Sequence, residues 1–106
     1  MTDIAVNDKQ WDAIDDSEKK RITDALIQNG ALSPGDRIVG DPNQPPFDEN
    51  TKMEPMWNPI KDICKAVCDT TAAGAIAWCT ANTAGVALAA CVAAAEAARR
   101  ECKRRC

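Results

Sequence analysis

Residues 63–106 read ICKAVCDTTAAGAIAWCTANTAGVALAACVAAAEAARRECKRRC, and the placing of the cysteines in that stretch decides the fold. They stand at Cys64, Cys68, Cys79, Cys91, Cys102 and Cys106, with successive separations of 4, 11, 12, 11 and 4. The series is its own mirror image. The pairs 64 and 106, 68 and 102, and 79 and 91 each sum to 170, so reflection about Gly85 carries every cysteine onto another. Residues that face each other across an antiparallel hairpin have this constant sum.

The same separations are helical. Steps of 4 and 11 bring an α-helix to within about 40° of a whole number of turns, so each set of three cysteines shares a face. Asn58 before Pro59 is a cap followed by a first-turn proline and places the start of the first helix there. Asn82-Thr83-Ala84-Gly85 supplies the turn, with Asn82 or Gly85 suited to a positive φ and Thr83 to capping the next helix. Six cysteines allow fifteen pairings. Only the nested set Cys64–Cys106, Cys68–Cys102 and Cys79–Cys91 satisfies both the mirror sum and the helical face. A disulfide also draws Cα atoms to about 4.4–6.8 Å, closer than ordinary helix axes approach. Small side chains must fill that gap, and the positions expected to face each other there are Ala72 with Ala98 and Ala75 with Ala95.

The expected fold class is therefore all-α, an antiparallel two-helix hairpin with three nested disulfides. Its large apolar residues are few: Ile60, Ile63, Val67, Ile76, Trp78, Leu88 and Val92. So small a core needs staples, each worth about 2–4 kcal/mol. Rival readings of the same residues remain. Two Cys-x-x-x-Cys pairs can hold zinc or copper(I), although Cys79 and Cys91 then have no role in a four-ligand site. Residues 70–95 are 26 residues without a charge, long enough to span a bilayer, but they are mostly alanine with Thr80, Asn82 and Thr83 at the middle. Thioether links from Thr70, Thr71, Thr80 or Thr83 are a third option, and these threonines do not mirror the cysteines.

Outward from the hairpin, residues 40–58 hold Pro42, Pro45, Pro46 and Pro55 and read as a linker with a probable cleavage region. Residues 59–106 are then the stapled hairpin. Residues 1–39 read as an acidic leader, largely flexible, with one short helix from Asp15 to Asn29. Asp16 or Ser17 would cap that helix, Ile14, Ile22, Ala25 and Leu26 would share a face near Trp11, and Gly30 and Pro34 would end it. Arg37-Ile38-Val39 has strand character but is short.

The charge is divided in the same way. Of 16 acidic and 13 basic residues in the chain, 12 and 6 lie in residues 1–56 and 4 and 7 in residues 57–106, giving −6 and +3. Cysteine density of this kind belongs to oxidising compartments, so a secreted protein is expected. Met1-Thr2-Asp3-Ile4 opens no basic and then apolar signal segment, which points to a dedicated exporter reading the leader, release by lysis, or a signal already removed. With no histidine, no tyrosine and no glycine-rich phosphate loop, no catalytic residue, metal site or cofactor is expected, and the chain is not read as an enzyme.

Arg99, Arg100, Lys103, Arg104 and Arg105 crowd one end of the hairpin, joined by Lys61 and Lys65, while the end around Trp78 is uncharged. These eight residues are the expected contacts to an anionic membrane or membrane receptor. The alternative is that the cations complement the helix dipole and aid solubility. The acidic segment would mask the basic one until a processing protease cuts the linker.

Cys64-Lys65-Ala66-Val67-Cys68 and Cys102-Lys103-Arg104-Arg105-Cys106 resemble the Cys-x-x-x-Cys pairs of the α-hairpinins, disulfide-linked helical hairpins of defence, and the alanine-rich tail resembles small bacteriocins of the fulvocin type. The resemblance covers residues 57–106. α-Hairpinins have four cysteines, so Cys79 and Cys91 fall outside their pattern. What the resemblance implies is a precursor of a secreted cationic antimicrobial peptide. The alternatives are a non-toxic hairpin that binds or inhibits a partner, or a cysteine-rich zinc or copper protein. No nucleic-acid partner is implied.

Overall fold

The computed structural model describes residues 3–44 and 63–105. In chain order these hold β1 (Asp3–Asn7), α1 (Asp8–Asp12), α2 (Asp16–Gln28), β2 (Arg37–Asp41), α3 (Ile63–Asn82) and α4 (Gly85–Arg105).

α3 and α4 form the stapled hairpin. Gly85 takes the left-handed conformation at the turn, with φ of 62°, which costs an L side chain but not glycine. Thr83 closes α3 and does not cap α4 as expected: its hydroxyl donates to the Cys79 carbonyl at 2.6 Å and its N–H donates to the same oxygen at 2.9 Å. Cys68 is bonded to Cys102 and Cys79 to Cys91, with Cα atoms 5.8 and 5.7 Å apart. The expected Cys64–Cys106 bond and the start of the first helix at Asn58 lie outside the described residues. Ala72, Ala75, Ala95 and Ala98 are all buried. They leave the space that the short disulfide bridges require.

The apolar list expected for the hairpin needs correction. Ile63 is 85% exposed and Val67 58%, so neither belongs to the core. Val92 is buried, while Ile76, Trp78 and Leu88 pack partly buried at its margin. The missing apolar volume comes from the other half of the chain.

That half corrects two further expectations, an all-α fold and a largely flexible leader with one short helix. β1 and β2 pair in parallel, with Ile4 opposite Ile38 and Val6 opposite Gly40, and α1 and α2 form the crossover that a parallel pair requires. α2 has the expected face, with Ile22, Ala25 and Leu26 buried, and its cap is Asp15, whose carboxylate accepts from the Glu18 N–H at 2.8 Å. Gly30, at φ of 82°, ends it. Its N–H donates to the Ile27 carbonyl and that of Ala31 to Leu26, the paired bonds of a Schellman motif. Asn7 ties the strand ends together: its side-chain oxygen accepts from the Gln10 N–H, and its amide donates to the Gln44 carbonyl at 2.8 Å. Gly40 sits so close to α1 that a β-carbon there would lie 3.0 Å from the Asp8 Cα. A side chain at 40 would force the first helix off the sheet.

The two halves share one core. β1 lies against α4. Ile4, Val6, Trp11, Ile14, Ile22, Leu26, Leu32 and Ile38 form a single cluster with Ala75, Cys79 and the run Ala90–Ala95 of the hairpin. Alternating Ile4 and Val6 signal a strand only weakly, because five residues cannot bury one face without a surface to rest on. The alanine face of α4 supplies it.

Candidate functional site

The eight expected contact residues do not form one exposed patch. Lys61 lies outside the described residues. Lys65, Arg100, Arg104 and Arg105 are exposed, whereas Lys103 is half-buried and Trp78 partly so. Arg104 and Arg105 are both paired with Glu101 one turn back, and hydrogen bonds from Arg104 hold the Glu101 carboxyl below its ordinary pKa. Much of the positive charge at this end is thus already matched by a neighbouring carboxylate.

Arg99 is the clear correction. It is 1% exposed and so presents no charge to a surface in this fold. Its Nη1 donates to Asp69 Oδ1 at 3.2 Å across the hairpin, and its Nη2 donates to Glu96 Oε2 at 3.0 Å within α4. Lys103 reaches Asp69 Oδ1 at 2.8 Å from the next turn. Two carboxylates and two cations therefore neutralise each other inside the module. Removing either sign alone leaves charge in a medium that solvates it poorly. Glu96 Oε1 is buried and accepts no hydrogen bond among the described residues.

Sequence reasoning missed Asp69, Glu96 and this role of Arg99. The signal was present in the spacing: Arg99 precedes Cys102 by three residues, and a residue one turn from a stapled cysteine is on the inward face. A charge there must find a partner inside, and Glu96 at i−3 and Asp69 beside Cys68 were the candidates.

Trp78, expected at a bare apolar end, lies beneath the N-terminal half. The Arg21 guanidinium stands 5.3 Å from its ring centroid. A groove of about 530 Å³ runs between α1 and the start of α4, lined by Asn7, Asp8, Lys9, Gln10, Ala13, Pro42, Val86 and Ala89. The described cysteines Cys68, Cys79, Cys91 and Cys102 are joined as disulfides and present no thiolate to a metal. None of the described helices is long and apolar enough to cross a membrane.

Comparison with protein-family models, curated proteins and solved structures gave no match, so the functional argument rests on the geometry alone.

Proposed function

We propose that the chain is a secreted precursor of a small cationic antimicrobial peptide, in which residues 3–44 cover the hairpin until a processing protease cuts between Gln44 and Ile63. One observation carries this reading. Six consecutive residues of α4, Ala90 to Ala95, are buried all round the helix, and they share one cluster with large apolar side chains of the acidic half. Lifting that cover leaves a hairpin with an apolar face at one end and Arg100, Arg104 and Arg105 exposed at the other. That combination suits an anionic bilayer, with cations at the headgroups and the apolar face at the acyl boundary. In this reading Cys64 joins Cys106 as the third staple and holds the helices together after the cover is lost. The two observed disulfides are compatible with an oxidising, extracellular setting.

The test uses the full oxidised chain carrying a specific protease site at residues 48–54. Before cutting, it should leave vesicles of phosphatidylglycerol and phosphatidylcholine intact. After cutting it should release their contents, spare pure phosphatidylcholine, and lose activity on reduction. A cut chain that neither permeabilises anionic vesicles nor inhibits any bacterial strain would overturn the proposal.

The shared core favours a second reading. A cover that is continuous with the core can belong to the working protein, and the intact chain is then a binding or inhibitory module whose ligand site is the groove between α1 and α4. Full activity of the uncut chain toward a captured partner, with none after cutting, would establish it.

A further inference from the structure

Arg21 of α2 clasps the end of the hairpin that carries Trp78. Besides standing over the Trp78 ring, Arg21 donates a 2.7 Å hydrogen bond from Nη2 to the carbonyl oxygen of Asn82, the last residue of α3. The final carbonyls of a helix lack intrahelical donors and carry partial negative charge, so a guanidinium placed there satisfies both needs at once. Trp78 is one turn before Asn82, and the planar fork spans ring and carbonyl together, which an ammonium on a flexible stem does less well.

Arg21 is held for this task. Glu18 accepts from its Nε at 3.2 Å and from its Nη2 at 2.7 Å, and that carboxylate keeps the guanidinium pKa above its ordinary value. Arg21 and Asn82 are 61 residues apart in the chain, so no local preference explains the contact. This contact links the acidic half to the hairpin, whereas the ion pairs Lys19–Asp12, Lys20–Asp24, Arg37–Asp3, Arg99–Asp69, Lys103–Asp69 and Arg104–Glu101 each stay within one half.

We infer that Arg21 is an autoinhibitory latch: by gripping Trp78 and the Asn82 carbonyl it holds the N-terminal half over the uncharged end of the hairpin and withholds Trp78 from an anionic membrane until the chain is cut. This rests on the masked-hairpin reading above and names the contact that does the masking. The shared cluster of the two halves is apolar and alanine-lined, which gives it area but little direction. Arg21 supplies a directional contact at the tip, where the aromatic side chain would enter a bilayer first.

The test has two readouts on the full uncut chain, with far-UV circular dichroism confirming the fold of every variant. The first is acrylamide quenching of tryptophan fluorescence in a Trp57→Phe background. Trp11 is 5% exposed and contributes little to quenching there, so the signal reports Trp78. The second is leakage from phosphatidylglycerol and phosphatidylcholine vesicles. Arg21→Ala should raise both quenching and uncut-chain leakage, the latter by roughly tenfold, the size expected from losing one cation–π contact and one charge-assisted hydrogen bond. Arg21→Lys should fall between the wild type and Arg21→Ala, since an ammonium keeps the charge but cannot span ring and carbonyl together. After cutting, wild type and Arg21→Ala should reach the same final leakage. Unchanged quenching in Arg21→Ala overturns the latch outright. Raised quenching without extra uncut leakage, when the cut chain does leak, overturns the autoinhibitory role and leaves the masked-hairpin reading standing. Absence of leakage from both cut chains overturns that reading and the autoinhibitory role together.

Discussion

Residues 3–44 bury Ile4, Val6, Trp11, Ile14, Ile22, Leu26, Leu32 and Ile38, whereas residues 63–105 bury alanine, half-cystine and a knot of charges. The first half has large apolar side chains and, among its described residues, no cysteine; the second has disulfides and, apart from Val92, no large aliphatic side chain that is fully buried. The contrast follows from separation. Bridges with Cα atoms under 6 Å apart leave no room between α3 and α4 for Leu or Ile. Bulk therefore has to come from outside the hairpin, onto its alanine face. The N-terminal half has the converse lack, since two five-residue strands and two helices cannot enclose a core without a third surface.

Reduction is the harshest way to break this pairing. Each staple contributes about 3 kcal/mol, so losing both should remove about 6 kcal/mol and unfold the hairpin, read as loss of helical ellipticity on adding dithiothreitol. If the apolar cover alone could hold α3 to α4, the helicity would persist. Next in size is the charge knot. Arg99→Met strands Glu96 and leaves Asp69 to Lys103 alone, and should cost about 3–5 kcal/mol in urea unfolding, while the triple replacement Asp69→Leu, Glu96→Leu, Arg99→Met should recover most of that. A triple variant as unstable as the single one would mean that the hairpin interior cannot be built from the side chains its neighbour uses.

Leu26→Ala, at a fully buried position, should cost about 3 kcal/mol. Hydrogen exchange should place that loss in α2 and the two strands and spare the oxidised hairpin. Equal loss of protection in α3 would show that the staples do not make the second half independent. The smallest effect belongs to Glu101. Its pKa is lowered in the folded state by the hydrogen bonds from Arg104, so its contribution is present above the unfolded value near 4.5 and is lost as pH falls through the folded value. The group is half-buried but its partners Arg104 and Arg105 are exposed and solvent screens the pair, so Glu101→Gln should shift the melting temperature only slightly, and only above that pH.

The hairpin could be read from the sequence because its constraints are arithmetic. Mirror spacing, helical phase and a glycine at the centre of reflection leave few arrangements, and Cys68–Cys102, Cys79–Cys91 and the left-handed Gly85 follow from them. In the first half the α2 face was visible for a similar reason: Ile14, Ile22, Ala25 and Leu26 repeat at helical spacing. β1 and β2 were not, since Asp3–Asn7 and Arg37–Asp41 pair across a crossover and gain their burial from α4, a partner no local window contains. Arg99 misled because basic residues crowd the end of the chain, and counting charge says nothing about which of five cations faces inward. Arg21 offered no signal, since Trp78 and Asn82 lie in the other half.

The resting place of β1 also sets an order of events. The strand is the first described element to leave the ribosome, yet it is flanked by β2 and by α4, the last. While the chain is being made, Ile4 and Val6 have nothing to rest on, and the acidic half stays unclosed until Ala90–Ala95 emerge. Tertiary structure therefore arrives late and from the C-terminal end. A nascent chain that cannot close early keeps its cysteines within reach of an oxidant until its last helix has been made.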